Sequence, residues 1–469
     1  MKRLFLVIAL FGVLATGCSK GFIDELKGLV DGLGSESFEC GENGVPSNQI
    51  WYTNGSTTEP TEPYDIDAFG AKILSNTYDT EKGCWVMSFD RRVTKIGEEA
   101  FVNCKDLQTI TIPKSVTRIG NQAFNSCLGL TNVDLGEGVK SVDELAFDMC
   151  TGLESMTIPG CVETIGERAF FGCSKLRTIT LSEGLTTIGD AVFVECGNLR
   201  SITIPESVER IGIGIFCKCS HLAKIAGKFA SEDGRSIIVD GTLKAVAPSG
   251  LTEYTVPDGV ATIGDYALYA CKDLKSVAIG NSVTIIGKYA LSECDSLTNA
   301  TIGESVTTIE EVAFGGCWRL TSIALPDSVT SIGNYAFSGC NNLQNISFGK
   351  GITAIGEFGF HSCSSLTSLI IPDGVTVIRD NAFAFCTSLE SVTIPANVTA
   401  IEIMAFCGCS SLTSVYCKAT TPPVGDFNMF DENAKERKIY VRMWLESAYK
   451  SAPYWSDYAD DIIGYVFEE

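Results

Sequence analysis

One cysteine column recurs every 23 residues along most of the chain. A period of this length is typical of solenoids, in which each repeat forms one coil that cannot bury its apolar side alone. One interval departs from the period, because Cys219 and Cys271 are 52 residues apart, which equals 23 plus 29. The sequence therefore predicts thirteen stacked coils and one insertion. The recurring cysteines are Cys104, Cys127, Cys150, Cys173, Cys196, Cys219, Cys271, Cys294, Cys317, Cys340, Cys363, Cys386 and Cys409.

Each coil repeats one apolar pattern, as residues 317–340 illustrate. Ile323 and Leu325 alternate as in a half-buried strand, and Pro326 ends that strand because proline cannot donate to a ladder. Apolar residues then recur at three- and four-residue steps around Gly333, which indicates an extended segment followed by tight turns. The predicted fold class is a β-rich repeat solenoid with short helical or 3-10 turns. The later inward positions are Val329, Ile332, Ala336, Phe337 and Cys340.

The repeat unit LxxIxIPxxVxxIGxxAFxxC resembles the BspA-type (Treponema-type) bacterial leucine-rich repeat, and its copies span about residues 93–417. The flanking segments, such as Cys417–Pro423, are also similar to the caps of this family. The resemblance implies an exported surface protein that binds host proteins as an adhesin. Caps are expected on physical grounds too, because a bare solenoid end exposes apolar surface and strand edges.

The first eighteen residues indicate export. A basic start at Lys2 and Arg3 precedes the apolar run Leu4–Leu14, which is too short to span a bilayer and is typical of a signal peptide. Residues 15–18 (Ala-Thr-Gly-Cys) resemble a bacterial lipobox, which implies lipidation of Cys18; an ordinary signal peptide is the alternative. We expect a lipid-anchored envelope protein, at the outer membrane or cell surface.

The insertion carries Asp233-Gly234 and Asp240-Gly241 between apolar runs, which is a strong β-hairpin signal. The hairpin either projects as a recognition element or joins two blocks of coils. The chain is therefore divided into a lipoprotein signal peptide (1–17), a tether or linker (18–63), an N-terminal cap (64–92), repeat block 1 (93–226), the hairpin insertion (227–250), repeat block 2 (251–417) and a C-terminal cap (418–469).

The cysteine column is best interpreted as packing. Cysteine is a small residue that is often buried, and neighbouring side chains that point the same way make poor disulfide geometry. We expect a reduced ladder, although export to an oxidising compartment would favour disulfides. The segment from Cys217 to His221 contains two cysteines and a histidine, but it lacks zinc-ligand spacing, so no metal site is predicted. No cofactor is predicted either.

Charge and motifs narrow the function classes. The formal net charge of −22 repels phosphate backbones, so nucleic-acid partners are not expected. The sequence contains no HExxH, GxSxG or P-loop motif and only two histidines, so the chain is not predicted to be an enzyme. A binding module or a structural envelope spacer remains.

Two columns of outward-facing residues are candidate binding faces. The column on the strand side is mostly Ser, Thr and Asn, and lacks the aromatic and Arg anchors of tight interfaces. The turn column, just before each Ala-Phe pair, is aromatic only in block 2, at Tyr266, Tyr289, Tyr335 and Phe358, here called the aromatic stripe. We expect it to contact a protein partner, such as a host matrix or plasma protein or another cell. Alternatively, the rings only shield the core and the protein is a spacer. In sequence order the turn column is Glu99, Gln122, Leu145, Arg168, Ala191, Gly214, Tyr266, Tyr289, Val312, Tyr335, Phe358, Asn381 and Met404.

Overall fold

A computed structural model describes residues 44–468 as a stack of coils, a β-solenoid of about 16 turns. Successive coils align at the 23-residue period, so that Ser155 pairs with Thr178 and Ser201 pairs with Lys224. The predicted fold class is confirmed. The predicted signal peptide, the lipidation site Cys18 and most of the tether lie outside the described residues.

The first side of the solenoid, here called the strand ladder, is parallel wherever neighbouring coils pair. Its strands bury alternate residues, as Ile179 and Leu181 show, because the side-chain period of a strand is two. The ladder contains three strands beyond the thirteen predicted coils, at 253–255, 438–442 and 462–465. Its strands are Thr109–Thr111, Asn132–Asp134, Ser155–Ile158, Thr178–Leu181, Ser201–Ile204, Lys224–Gly227, Glu253–Thr255, Ser276–Ala278, Asn299–Thr301, Ser322–Ala324, Asn345–Ser347, Ser368–Ile370, Ser391–Ile394, Ser414–Cys417, Lys438–Arg442 and Ile462–Tyr465.

The second side is a ladder of two-residue parallel strands whose isoleucine or valine faces the core. Ile188, for example, is buried and pairs with both Ile165 and Ile211. These strands are Arg118–Ile119, Ser141–Val142, Thr164–Ile165, Thr187–Ile188, Arg210–Ile211, Thr262–Ile263, Ile285–Ile286, Thr308–Ile309, Ser331–Ile332, Ala354–Ile355, Val377–Ile378 and Ala400–Ile401.

The third side, here called the turn face, is also tied together by its backbone. The Phe101 amide donates to the Ala123 carbonyl one coil later (2.7 Å), and Asn103 donates in the same way to Asn125 (2.8 Å). Within each block, a coil thus gives amide hydrogens to the next, and the unit of stability is the interface between coils.

Two inward columns form the core on this side. The Phe rings of neighbouring coils stack, with centroids 5.3 Å apart for Phe101–Phe124 and 5.1 Å for Phe337–Phe360. The column cysteines lie beside them, and their thiols face backbone carbonyls: Cys150 Sγ donates to the Phe124 carbonyl at 3.1 Å. The same bond recurs in both blocks with distances up to 3.3 Å, as in Cys363. None of the cysteines in the described part of the chain is in a disulfide. The aligned apolar columns predicted from the period are therefore present.

The N-terminal cap is larger than the sequence indicated. The strand Gln49–Thr53 lies between Cys84–Phe89 and Thr109–Thr111 in one sheet, and Ile73–Asp79 adds the outer strand. The Tyr52 ring is buried and its hydroxyl donates to Asn76 Oδ1 (2.8 Å). The assignment of 18–63 to a tether is thus wrong for this part, since alternate apolar residues in the strand pack against the cap core. The sequence did not predict this strand because the Gly-, Ser-, Thr- and Pro-rich residues around it are typical of a linker.

The insertion joins the two blocks. Its strands Ser236–Val239 and Thr242–Val246 form an antiparallel hairpin, and the second pairs in parallel with Thr262–Ile263. Leu243 packs in the hydrophobic core of block 2, whereas Ile237 packs in that of block 1. The hairpin is therefore a coil of the solenoid and does not project from it.

The C-terminal segment closes the core. The 3-10 helix Met443–Leu445, the α-helix Glu446–Ser451 and the 3-10 helix Ser456–Asp461 lie between the last two strands. Tyr449 and Trp455 are fully buried, and the Trp455 indole donates to the Pro423 carbonyl (2.8 Å). This arrangement covers the apolar end that the last coil would otherwise expose.

Candidate functional site

The turn column shares one backbone conformation in both blocks. All thirteen of its residues have positive φ, from 52° at Arg168 to 62° at Gly214. Twelve of them are not glycine, although this left-handed region disfavours side chains with a Cβ. The neighbouring coils hold the conformation in place: the amide of Tyr335 donates to the Glu357 carbonyl at 2.9 Å.

The structure brings the four stripe residues together as two pairs. The rings of Tyr266 and Tyr289 are stacked, with centroids 4.9 Å apart and planes 3° apart. Tyr335 and Phe358 are stacked in the same way at 4.7 Å and 6°. Val312 lies between the pairs in the same column, so the aromatic surface is interrupted once.

The stripe is accessible to solvent. Tyr335 is 39% exposed, whereas Phe337, two residues later, is fully buried in the core stack. Tyr266, Tyr289 and Phe358 are half-buried. Phe193 is also fully buried, in a coil whose turn-column residue is Ala191, so burial of a Phe in the stack does not require an aromatic ring in its own coil's turn column.

Three further aromatic residues extend the stripe, and the sequence analysis did not select them. His361 lies 5.4 Å from the Phe358 ring and 5.4 Å from the Phe385 ring, measured between centroids. Phe385 is 42% exposed. Tyr269 meets Tyr266 edge-to-face at 5.6 Å. They occupy the two columns before the cysteine, and a search for aromatics in those columns would have found them.

Electrostatics around the stripe are set by pairs between coils. Tyr269 donates to Glu293 Oε1 at 2.7 Å; burial is the main cause that raises the pKa of this tyrosine, and the bond to Glu293 adds to it. Lys288 pairs with Glu311 at 3.3 Å, and this exposed pair raises the pKa of the lysine. Burial lowers the pKa of His361, so this residue is neutral at physiological pH. The stripe is thus an uncharged aromatic surface with ion pairs beside it.

The strand side differs from its predicted polar character at one end. Tyr416 and Tyr440 stack at 5.0 Å, and Tyr465 meets Tyr440 edge-to-face at 5.4 Å. Trp444, nearby in the chain, is 72% exposed. Aromatic side chains therefore do occur on this face, at its C-terminal strands, two of which lie beyond the recognisable repeats.

The cysteine and histidine residues of 217–221 do not converge on one point. Cys219 Sγ faces the Phe193 carbonyl at 3.0 Å, and His221 Nδ1 lies 2.6 Å from the Gly197 carbonyl. Within residues 44–468, no group of three or more His, Cys, Asp or Glu side chains has the arrangement of a metal site. The expectations of no metal and no cofactor stay predictions.

Helices in the described part of the chain are short, and none has the length and apolar character needed to cross a membrane. The lipid anchor at Cys18 also remains a prediction.

Comparisons with solved structures give several similar chains. A leucine-rich cell surface protein from Faecalibacterium prausnitzii is 29% identical, with a TM-score of 0.49, and the match covers 70% of this chain and 77% of that one. The pneumococcal vaccine antigen PcpA is 20% identical, with a TM-score of 0.51, over 80% and 85% of the two chains. A leucine-rich repeat protein from Bacteroides ovatus is 26% identical, with a TM-score of 0.43, over 70% and 83%. At 20% identity, the likeness to PcpA concerns the fold alone.

A search of the curated proteins gives no match. The model of the BspA type leucine rich repeat region matches in six copies, over residues 94–223, 244–326 and 307–434. These ranges cover more than half of the chain and include coils of both blocks. The chain belongs to the BspA-type leucine-rich repeat family.

Proposed function

We propose that this protein is an exported, lipid-anchored surface protein that binds other proteins through the aromatic stripe. The observation that carries the proposal is the contrast along the turn column. Tyr335 is solvent-exposed, while Arg168 occupies the same column with a similar φ (57° and 52°). Because a coil folds with either residue, the aromatic side chains are not needed for the fold.

Tyrosine pairs suit a binding surface. They offer large, rigid and amphipathic contact area at a small cost in conformational entropy, and aromatic residues are enriched where binding energy is concentrated. The two stacked pairs, with Phe385 beside the second, make such a surface along block 2. The acidic chain, with a net charge of −22, favours a partner whose contacting surface is neutral or basic.

The location is proposed from the lipobox-like residues ending at Cys18 and from the relatives. The similar protein of F. prausnitzii is described as a cell surface protein, and PcpA is described as a vaccine antigen. Many copies anchored on one membrane would bind a multivalent partner by avidity even if each stripe bound weakly. A spacer without ligand is the competing function; it has no use for exposed aromatic pairs.

The test measures capture of a panel of immobilised matrix and plasma proteins by intact cells and by the purified chain. One variant carries Tyr266→Asn, Tyr289→Asn and Tyr335→Asn, because Asn381 shows that asparagine adopts this backbone conformation. The matched control carries Gln122→Asn, Leu145→Asn and Arg168→Asn in block 1. We expect the stripe variant to lose capture of whichever panel member binds, and the control to retain it. Retained capture by the stripe variant, or capture of no panel member by the unaltered chain, contradicts the proposal.

The anchor is tested separately. Cys18→Ser should release the protein from the membrane fraction and remove the lipid-sized mass increase, and protease added to intact cells should digest the unaltered protein. Retention of the Cys18→Ser variant in the membrane fraction would contradict lipid anchoring.

A further inference from the structure

The two repeat blocks meet in a seam on the turn face. The insertion coil contributes to the first two sides but has no Ala-Phe turn, so the turn of Gly214 is followed in space by the turn of Tyr266. The two coils come close together at Gly214, where an added Cβ would lie 3.6 Å from the Tyr266 Cβ. Lys218 and Tyr269, further along the seam, line a cleft together with Gly214 and Tyr266.

The backbone bonds between coils stop at this seam. One coil earlier they are regular, since the amides of Phe193 and Glu195 donate to the carbonyls of Ile215 (3.0 Å) and Cys217 (2.9 Å). In the described chain the equivalent donors of the next coil have no acceptor, and the equivalent carbonyls across the seam receive no amide. The donors are the amides of Gly214, Phe216 and Lys218, and the acceptors are the carbonyls of Asp265, Ala267 and Tyr269.

Such groups are unusual in a folded protein. Phe216 is 4% exposed and Ala267 is 3% exposed, and a buried backbone donor or acceptor without a partner destabilises the folded state. The usual partners of such groups are water or a ligand. The seam therefore presents both backbone amides and backbone carbonyls that have no hydrogen-bond partner in the described chain.

This cleft along the seam has a volume of about 380 Å³. Tyr266 and Tyr269 form two of its walls, with ring planes 72° apart, and Phe171 adds a third aromatic side chain. The Lys218 ammonium lies 5.9 Å from the centre of the Tyr269 ring and 3.4 Å from Glu195. The site thus already holds one ammonium group, between an aromatic face and a carboxylate.

The charges that line the cleft favour a cation. Three carboxylates face two cations, and the whole chain carries a net charge of −22, so a basic ligand is attracted and an acidic one repelled. The carboxylates are those of Glu167, Asp190 and Glu195, and the cations are Arg168 and Lys218.

We propose that the seam cleft binds an extended basic peptide segment of the protein partner. An extended peptide carries alternating carbonyl and amide groups, which are the complements of the Lys218 amide and the Tyr269 carbonyl. A lysine or arginine side chain of the peptide contacts the tyrosine faces and the carboxylates. This inference rests on the proposed function, and gives the stripe, which begins at Tyr266, a specific pocket at its N-terminal end.

The experiment uses the full chain and three labelled decapeptides: (Lys-Thr)5, (Glu-Thr)5 and (Lys-Thr)5 with N-methylated threonines. Fluorescence anisotropy should show that the basic peptide binds at least about tenfold more tightly than either of the others, with binding weakened by salt. Hydrogen exchange should slow at the amide of Lys218 when the basic peptide is added, and stay unchanged at Glu195, whose amide already donates to the Cys217 carbonyl.

Two variants locate the effect. Tyr269→Ser, a residue that the same column holds at Ser292 and Ser338, should weaken binding of the basic peptide at least about tenfold. Gln122→Asn, in the turn column of block 1 and outside the cleft, should leave it unchanged. Equal binding of the basic and N-methylated peptides, no binding of the basic peptide, or an unaffected Tyr269→Ser variant overturns the inference. If partner capture by the stripe persists in that case, only this inference fails; if capture fails while the peptide binds as stated, only the proposed function fails.

Discussion

Repeat blocks 1 and 2 have the same backbone and different surfaces. In the turn column, Arg168 and Tyr335 both adopt left-handed φ and both donate an amide to the next coil at 2.9 Å. Block 1 supports this conformation with Glu, Gln, Leu, Arg, Ala and Gly, and block 2 has aromatic residues at four of its seven positions. One block therefore serves as an internal control for the other. What varies between them is free to serve function, because the coil does not depend on it.

The inward columns teach the opposite lesson. Phe147 in block 1 and Phe337 in block 2 are fully buried, each stacks on its neighbours, and the cysteine three residues later is buried in both. Block 2 departs from this only next to the insertion, where Leu268 and Leu291 replace Phe. Residues that recur in both blocks are thus those that build the interface between coils.

The largest effect is expected for a charge in the Phe stack. Phe337→Asp removes a buried ring and leaves a carboxylate without a partner, and should lower the free energy of unfolding by about 4 kcal/mol or more. Ser322→Asp, on the exposed side of the same coil, should change it by less than about 0.5 kcal/mol. Denaturant unfolding measures both.

The same change sharpens the comparison of the blocks. The hydrophobic cores form two clusters that divide within the insertion. Phe337→Asp should therefore speed hydrogen exchange in block 2 more than in block 1, and Phe147→Asp should do the reverse. Equal acceleration in both blocks would show that the two cores unfold as one unit.

The cysteine column makes stability depend on pH. Burial raises the pKa of Cys340 to about 12, whereas the pKa of a cysteine thiol in the unfolded chain is about 8.5. The native state keeps a proton that the unfolded state loses, so this stabilisation is complete below about pH 8.5 and is lost as pH rises towards 12. Each such thiol lowers the free energy of unfolding by about 1.4 kcal/mol per pH unit in that window.

Denaturant unfolding between pH 8 and 10 checks this dependence. Cys340→Ala should give a shallower decline with pH than the unaltered chain. Cys161→Ala is the control, because Cys161 is half-buried outside the column and loses less solvation. Identical slopes for the three proteins would mean that the column thiols do not differ from exposed ones.

Much of the fold could be predicted from the sequence because the 23-residue repeat period is visible in it. The Phe and Cys columns and the short strands follow from spacing alone. The strand Gln49–Thr53 was missed because its cap partners are distant in sequence and its neighbours are typical of a linker. The left-handed φ of Tyr335 could not be predicted from local propensity either. Tyrosine disfavours this backbone region, and contacts between coils impose it. The seam cleft forms because the insertion coil has no turn on the turn face. The sequence alone did not indicate which side of that coil would be missing.

The strain in the turn column gives a smaller, testable effect. Val312 is β-branched and has a φ of 56°, a conformation that is costly for such a residue. Val312→Asn should raise the free energy of unfolding by about 1 kcal/mol, because asparagine tolerates this region. The reverse change, Asn381→Val, should lower it by a similar amount. Thermal unfolding of both variants measures this, and a loss of stability in Val312→Asn would show that its side-chain contacts outweigh the backbone strain.

The smallest effect on stability, and the most informative about function, is expected for the stripe itself. Tyr335→Asn gives up stacking on Phe358, worth about 1 kcal/mol, but relieves backbone strain of similar size, so the free energy of unfolding should change by less than about 0.5 kcal/mol. Leu145→Asn, at the equivalent position of block 1, should be equally mild. Calorimetry measures both variants. A loss above about 2 kcal/mol confined to Tyr335→Asn would mean that block 2 needs its aromatic residues to fold. In that case block 1 would no longer be a control for block 2, and the stripe would be part of the scaffold.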